Sequence, residues 1–235
     1  MNKAFFICKI METSIQYNIR KIKESIPNHV LLVAVSKTKP VSDIMQAYEI
    51  GIKDFGENKV QELVAKYEQL PKDIRWHFIG HLQTNKVKYI APFVSLIHGI
   101  DSLKLLQAIN KEAIKCNRII PCLLQFHIAQ EETKFGLSLQ EAHEILQSHE
   151  FTTLHNIQIN GVMGMASYVD DSKQIQQEFK ELYLIYKELK QKYFNNSEYF
   201  CQLSMGMSQD YTIAIEQGST IIRIGSTIFG ERNLL

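Results

Sequence analysis

The chain has 235 residues, 45% of them apolar, and a formal net charge of +1. This composition supports a sizeable core and excludes intrinsic disorder. It also excludes a strong global field that would recruit nucleic acid or anionic membrane, so any anion specificity has to be local.

Cys8, Cys116, Cys122 and Cys201 are scattered without a CxxC pair, which argues against a zinc site or disulfide framework and suits a reducing cytosol. The apolar run Ala4 to Ile7 is too short for a signal-peptide core, and no other stretch approaches a membrane span. The expectation is a soluble, cytoplasmic globular protein.

The first periodic segment carries Ile15, Ile19, Ile22 and Ile26 on one helical face and predicts a helix over about 10–26, ended by Pro27 and Asn28. The barrel-forming part runs from about 30 to 235. His29 to Ser36 is an apolar, β-branched run of the kind that forms a buried parallel strand. Pro40 and Ser42 announce the next helix, which ends near Gly51. Further strands are expected near Lys53–Phe55, Arg75–Ile79, Val94–His98, Ile120–Phe126, Ile157–Val162, Phe200–Leu203 and Thr220–Ile224. Helices fill the gaps. Thr84 is a candidate cap for the helix toward Tyr89, and Asp101 or Ser102 for the one through Ile109. Ser138 with Glu141 forms a capping box. The longest helix follows Asp171 and aligns Ile175, Phe179, Leu182, Tyr186 and Leu189. Ser208 opens a helix closed by Gly218. Eight βα units in this length predict one α/β domain over 1–235, a closed (β/α)8 TIM-type barrel with an extra N-terminal helix. A doubly wound open sheet is the alternative.

Active sites of such barrels sit at the C-terminal strand ends. Those ends read Lys37, Glu57 with Asn58, Gly80 with His81, Asp101, His127, Met163 to Met165, Ser204 to Ser208, and Arg223 with Gly225 and Ser226. Val33, Val35 and Lys37 share strand parity, so inward valines imply an inward lysine. In an apolar mouth the charged amine is disfavoured, and the neutral amine attacks carbonyls. A lysine snorkelling at the rim is the plain alternative, and Lys39, of the same parity, is the rival nucleophile.

The last two βα units read as an anion site. Ser204-Met-Gly-Met-Ser208 sits at an expected helix start, and Arg223-Ile-Gly-Ser226 offers close backbone approach and a hydroxyl. Arg223 shares parity with Ile221 and Gly225 and should point into the barrel. Its acceptor is open between a ligand ring nitrogen and Glu57 or Asp101. His77 and His81 straddle a strand end with no third ligand in sight, so a core or rim role is expected rather than zinc. Tyr183, Tyr186 and Tyr193 read as helix packing.

These residues resemble the pyridoxal-phosphate homeostasis proteins, related to the barrel domain of bacterial alanine racemase. The matching segments are Ala34-Val-Ser-Lys-Thr-Lys-Pro40, Phe55-Gly-Glu-Asn58, Trp76-His-Phe-Ile-Gly-His-Leu-Gln83 with Asn85-Lys86, Leu203-Ser-Met-Gly-Met-Ser208 and Arg223-Ile-Gly-Ser-Thr-Ile-Phe-Gly230. The resemblance implies that Lys37 forms the internal aldimine with pyridoxal 5′-phosphate (PLP). It implies that Ser208, Gly225 and Ser226 hold the phosphate, with Ser204 and Met207 nearby. Arg223 would face the pyridine nitrogen, and Asn58 would lie beside the cofactor. A cationic Arg223 does not favour a protonated ring nitrogen, which weakens the ring as an electron sink. One departure is His127, where the family usually has Asn.

The resemblance favours a non-enzymatic PLP carrier that buffers the aldehyde and passes it to apo-enzymes, with a monomer as the default state. An amino-acid racemase is the first alternative. Two-base racemization needs a group on each substrate face, and the sequence ends at Leu235 without the β-rich domain that supplies the second group in alanine racemases. A Schiff-base aldolase acting on a phosphorylated substrate, using the same lysine and no cofactor, is the second alternative.

Overall fold

The computed structural model describes residues 12–130 and 135–231. The Ala4–Ile7 run, Cys8 and the expected helix start at residue 10 lie outside them. Eight parallel strands close into a barrel in sequence order: β1 Leu31–Val35, β2 Asp54–Glu57, β3 Arg75–Phe78, β4 Leu96–Ile100, β5 Ile120–Phe126, β6 Ile157–Gly164, β7 Gln202–Ser204 and β8 Ile221–Ile224. The (β/α)8 barrel expected from the sequence is therefore the observed one, and the open sheet is not. Closure is made by β1 on β8, with Leu31 beside Ile221 and Val33 beside Arg223.

The alternating side chains of the strands divide into two cores. Outward residues such as Ala34, Phe55, Trp76, Ile97, Val162 and Ile222 are fully or almost fully buried against the helices. Inward residues form a second apolar cluster of Val33, Leu96, Leu123, Met163 and Ile221. The same interior also buries Asp54, His77, His98, Ser204 and Arg223. Layered filling of this kind makes the barrel a packed core rather than a pore.

Helix α1 (Ser14–Ser25) lays Ile15, Ile19 and Ile22 on the outside of the barrel. A capping box between Thr13 and Gln16 starts it. The other cap signals met mixed outcomes. Ser102 caps α5 (Leu103–Lys115), Ser138 and Glu141 form the expected box before α6 (Leu139–Gln147), and Asp171 caps α8 (Ser172–Tyr193). Helix α2 (Val41–Glu49) has Pro40 at its N-cap without a side-chain bond, so Ser42 does not cap it. Thr84 opens only a short 3-10 turn and makes no side-chain cap; the α-helix there spans Val87–Ile90. The helix expected from Ser208 begins at Tyr211 instead, as α9 (Tyr211–Glu216).

β6 carries a register shift against β5 between Ile159 and Gly161. Gly161 has φ +153°, and a Cβ there would fall 1.7 Å from the Gln202 carbonyl oxygen. Only glycine lets β7 pair so closely at that bulge. Gly161→Ala is expected to destabilise the protein by about 3 kcal/mol or more. Urea unfolding checks this, and an unshifted midpoint would contradict it.

Candidate functional site

Lys37 follows β1 directly, in a turn whose backbone is tied down from both sides. Behind it lies α3 (Val60–Gln69). The buried Lys66 ammonium donates to the Ser36 carbonyl at 2.8 Å, to Glu57 Oε1 at 2.7 Å and to Glu62 Oε1 at 2.7 Å. The Ser36 hydroxyl also donates to Glu57 Oε1, at 2.6 Å. Glu62 Oε1 accepts the Thr38 N–H at 2.5 Å. The residues on both sides of Lys37 are thus fixed by one ionic cluster. Thr38 needs that hold, since its φ of +66° is costly for a β-branched residue, by about 1–3 kcal/mol. Burial pushes the Glu57 carboxyl up, against the pull of Lys66 and Ser36.

The strand-parity rival has partners of its own. Lys39 Nζ donates to the carbonyls of Phe229, Gly230 and Glu231, at 2.9, 3.1 and 3.0 Å. It therefore closes the end of α10 (Ser226–Phe229) instead of serving the mouth. Lys37 is half-buried at the same strand end.

Barrel closure brings the β8 residues beside this turn. Gly225 lies where a Cβ would sit 3.3 Å from the Val35 carbonyl oxygen. The Ser208 hydroxyl accepts the N–H of Gly225 at 3.3 Å and of Thr227 at 3.5 Å. Two backbone donors thus converge on the Ser208 hydroxyl, and the exposed Ser226 lies between them in the chain. That donor set suits a phosphate. Met207 stands on the same loop, its N–H donating to Asp210 Oδ1 at 2.5 Å. That bond builds a turn ahead of α9, which is why the helix starts three residues after Ser208.

Arg223 is buried in the interior. It donates through Nη1 to Ser204 Oγ at 2.5 Å and through Nη2 to the Gly164 carbonyl at 3.1 Å. Neither Glu57 nor Asp101 is its acceptor, because Glu57 faces α3 outside the barrel and Asp101 pairs with His81 at the rim. Burial pushes the Arg223 guanidinium down to about 10, with Asp210 opposing, so it stays a cation at neutral pH. Asn58 follows β2 beside Gly80, where an added Cβ would fall 2.5 Å from the Asn58 carbonyl oxygen.

His77 is in the core and His81 is at the rim, as their spacing implied. His81 Nδ1 lies 3.1 Å from Asp101 and its ring stacks on Phe135 with centroids 4.8 Å apart. His127 ends β5, where its N–H donates to the Leu137 carbonyl at 3.2 Å. Among the described residues no group of three metal-ligating side chains occurs, and no helix is long and apolar enough to cross a membrane. A concavity of about 440 Å³ lies at the opposite, N-terminal end, lined by His29, Leu31, Lys53 and Asp54 among others. It is remote from Lys37, and barrel chemistry belongs to the other face.

Reading the sequence alone missed Lys66, Glu62 and His98. Lys66 was visible in outline: it continues the apolar register Val60, Leu63 of α3 and stands four residues after Glu62. His98 shares strand parity with Leu96, an interior position.

Residues 10–233 match the family model for the alanine racemase N-terminal domain. The pyridoxal phosphate homeostasis protein of Aquifex aeolicus is 41% identical over 203 residues, covering 86% of both chains. That of Vibrio alginolyticus is 36% identical, covering 94% of this chain and 99% of its own. The structure of PipY from Synechococcus elongatus with PLP bound is 32% identical, with a TM-score of 0.84 over 92% of this chain and all of PipY. An alanine racemase from Clostridium difficile shares the fold at 13% identity, with a TM-score of 0.74.

Two outcomes are expected from the buried charges. Lys66→Met strands two carboxylates behind the Lys37 turn and should cost about 3–5 kcal/mol, measurable by urea unfolding; a change under about 1 kcal/mol would contradict the clamp. Burial pushes the Asp54 carboxyl up, but hydrogen bonds from His77 and Arg75 bring it below its usual value. Its stabilising contribution is therefore present above the unfolded value near pH 4 and is lost as pH falls through the lowered folded value. Asp54→Asn should flatten stability against pH below about pH 4, and an unaltered acid limb would refute the assignment.

Proposed function

Because the chain belongs to the pyridoxal phosphate homeostasis protein family, we propose that it binds PLP at the C-terminal mouth of its barrel. In this reading it carries the cofactor covalently on Lys37, as a monomeric single-domain protein of the cytosol. It acts as a reservoir that passes PLP to apo-enzymes and not as a catalyst. The observation that carries the reading is the meeting of the Lys37 turn with the Ser208, Gly225 and Ser226 donors across the β1–β8 seam. The free thiols of Cys116, Cys122 and Cys201 support a reducing compartment.

The bound cofactor supplies an aldehyde that condenses with an amine. Lys37 would provide that amine from a half-buried position at the end of β1. Ser208, Ser226 and the N–H groups of Gly225 and Thr227 would hold and orient the phosphate as hydrogen-bond donors. Asn58 would flank the ring and Met207 would line the β7 side, with the buried Ser204 behind Arg223. Arg223 would face the ring nitrogen as a donor that cannot accept a proton from it. A ring so held is a poor electron sink, which supports storage over amino-acid chemistry.

Lys37→Ala is expected to abolish the near-visible absorption band and borohydride-trapped PLP while leaving the fold intact by circular dichroism. A retained reducible adduct would move the assignment to another lysine. Arg223→Ala should alter the cofactor spectrum or weaken binding about tenfold or more, and an unchanged titration would leave Arg223 a structural role only. Transfer is tested by activating an apo-PLP enzyme with the loaded protein. Rapid turnover of alanine or another amino acid by the loaded protein would instead favour the racemase reading.

A further inference from the structure

Five interior polar side chains form one continuous line through the barrel that cofactor binding alone does not require. Arg75 holds Asp54 through two hydrogen bonds, Nε to Oδ1 at 2.7 Å and Nη2 to Oδ2 at 2.5 Å. Asp54 Oδ1 lies 3.1 Å from His77 Nε2, and His77 Nδ1 lies 3.0 Å from His98 Nε2. His98 Nδ1 lies 2.9 Å from Ser204 Oγ, which accepts Arg223 Nη1. Every member from Asp54 to Arg223 is buried, while Arg75 is exposed on the N-terminal face.

The ends of the line determine its direction. Arg223 can only donate, and an ionised carboxylate can only accept. An ionised Asp54 places a proton on His77 Nε2 and leaves His77 Nδ1 as an acceptor. His98 then donates from Nε2, and its Nδ1 receives the Ser204 hydroxyl proton. The Ser204 oxygen remains to accept from Arg223. Each hydrogen on this line has one acceptor. The opposite direction requires a doubly protonated His77 and leaves the Ser204 hydrogen without an acceptor on the line. Burial pushes the His98 imidazole well below its usual value, so that ring is neutral.

We infer that Asp54, His77, His98 and Ser204 are positioning residues, a one-way hydrogen-bond line that fixes Arg223 for the cofactor ring. The inference rests on the reading of Arg223 as the ring-nitrogen partner. With Nη1 held by Ser204 and Nη2 by the Gly164 carbonyl, the guanidinium plane is pinned at two points. Because Arg223 does not surrender a proton near neutral pH, the line transmits orientation and polarisation, not protons. Ser204 therefore serves the ring side of the site through Arg223 and not the phosphate side.

The test is long-range proton–nitrogen correlation on the nitrogen-15-labelled full chain, without and with PLP, with His77→Gln and His98→Gln for assignment. The expected result is two neutral rings, both carrying the proton on Nε2, before and after loading. An Nδ1–H tautomer or a doubly protonated ring at either position overturns the line. A folded Ser204→Ala variant should weaken PLP binding about 10- to 100-fold and shift its absorption. Unchanged affinity and spectrum in that variant overturn the positioning role. A wild-type protein with the expected tautomers that takes up no PLP refutes the cofactor reading instead, so the two failures are separable.

Discussion

The pairing of β1 with β8 is the contact on which the rest of the molecule depends. Leu31 to Ala34 lie alongside Ile221 to Ile224, two segments almost a chain length apart. The contact ends the sheet on itself and removes both edges. It also sets Val33 beside Arg223 and Val35 against Gly225. That register brings the strand end before Lys37 beside the Gly225 turn. A slip of one residue would turn either Lys37 or Arg223 out toward the helices and part the two.

Closure creates an interior with room for polar groups, and the chain handles them in two ways. Outside the barrel wall, Lys66 is compensated by Glu57 and Glu62 and spends its third bond on the Ser36 carbonyl. Buried ion pairs often contribute little net stability, so the value of this cluster lies in what it holds, namely the turn around Lys37. Inside the wall, Ser204, His98 and His77 join Arg223 to the Asp54 carboxylate. Three hydrogen-bonded side chains thus span the barrel width between the two charged ends. Both devices put stiffness directly behind the two groups that the cofactor reading uses, which is what a preorganised site requires.

Much of this was legible in the residue pattern. The apolar run before Lys37 and the alternation of β and α periods gave the strand count, and shared parity with Val33 and Ile221 pointed Lys37 and Arg223 toward the interior. The capping box at Ser138 and the cap at Asp171 stood where local chemistry dictates. What stayed hidden depends on contacts distant in sequence. Ser208 looks like a helix cap, but its hydroxyl is taken by the N–H groups of Gly225 and Thr227 from the next unit. Lys39 could be separated from Lys37 only once the carbonyls at the end of α10 were seen to claim it. The acceptors of Arg223 follow from the β7–β8 register and the neighbouring β6 carbonyl, neither of which a single strand reveals. Thr38 gives no sign of its positive φ, because that conformation is imposed by Glu62.

The central claim is that Lys37 is the point of covalent attachment. Borohydride reduction of the purified wild-type protein after PLP loading, followed by peptide mapping, tests it most directly. A phosphopyridoxyl group on Lys37, and on no other lysine in stoichiometric amount, is the result expected. A protein that takes up no PLP, or carries it on Lys39 or a surface lysine while Lys37 stays unmodified, would contradict the account.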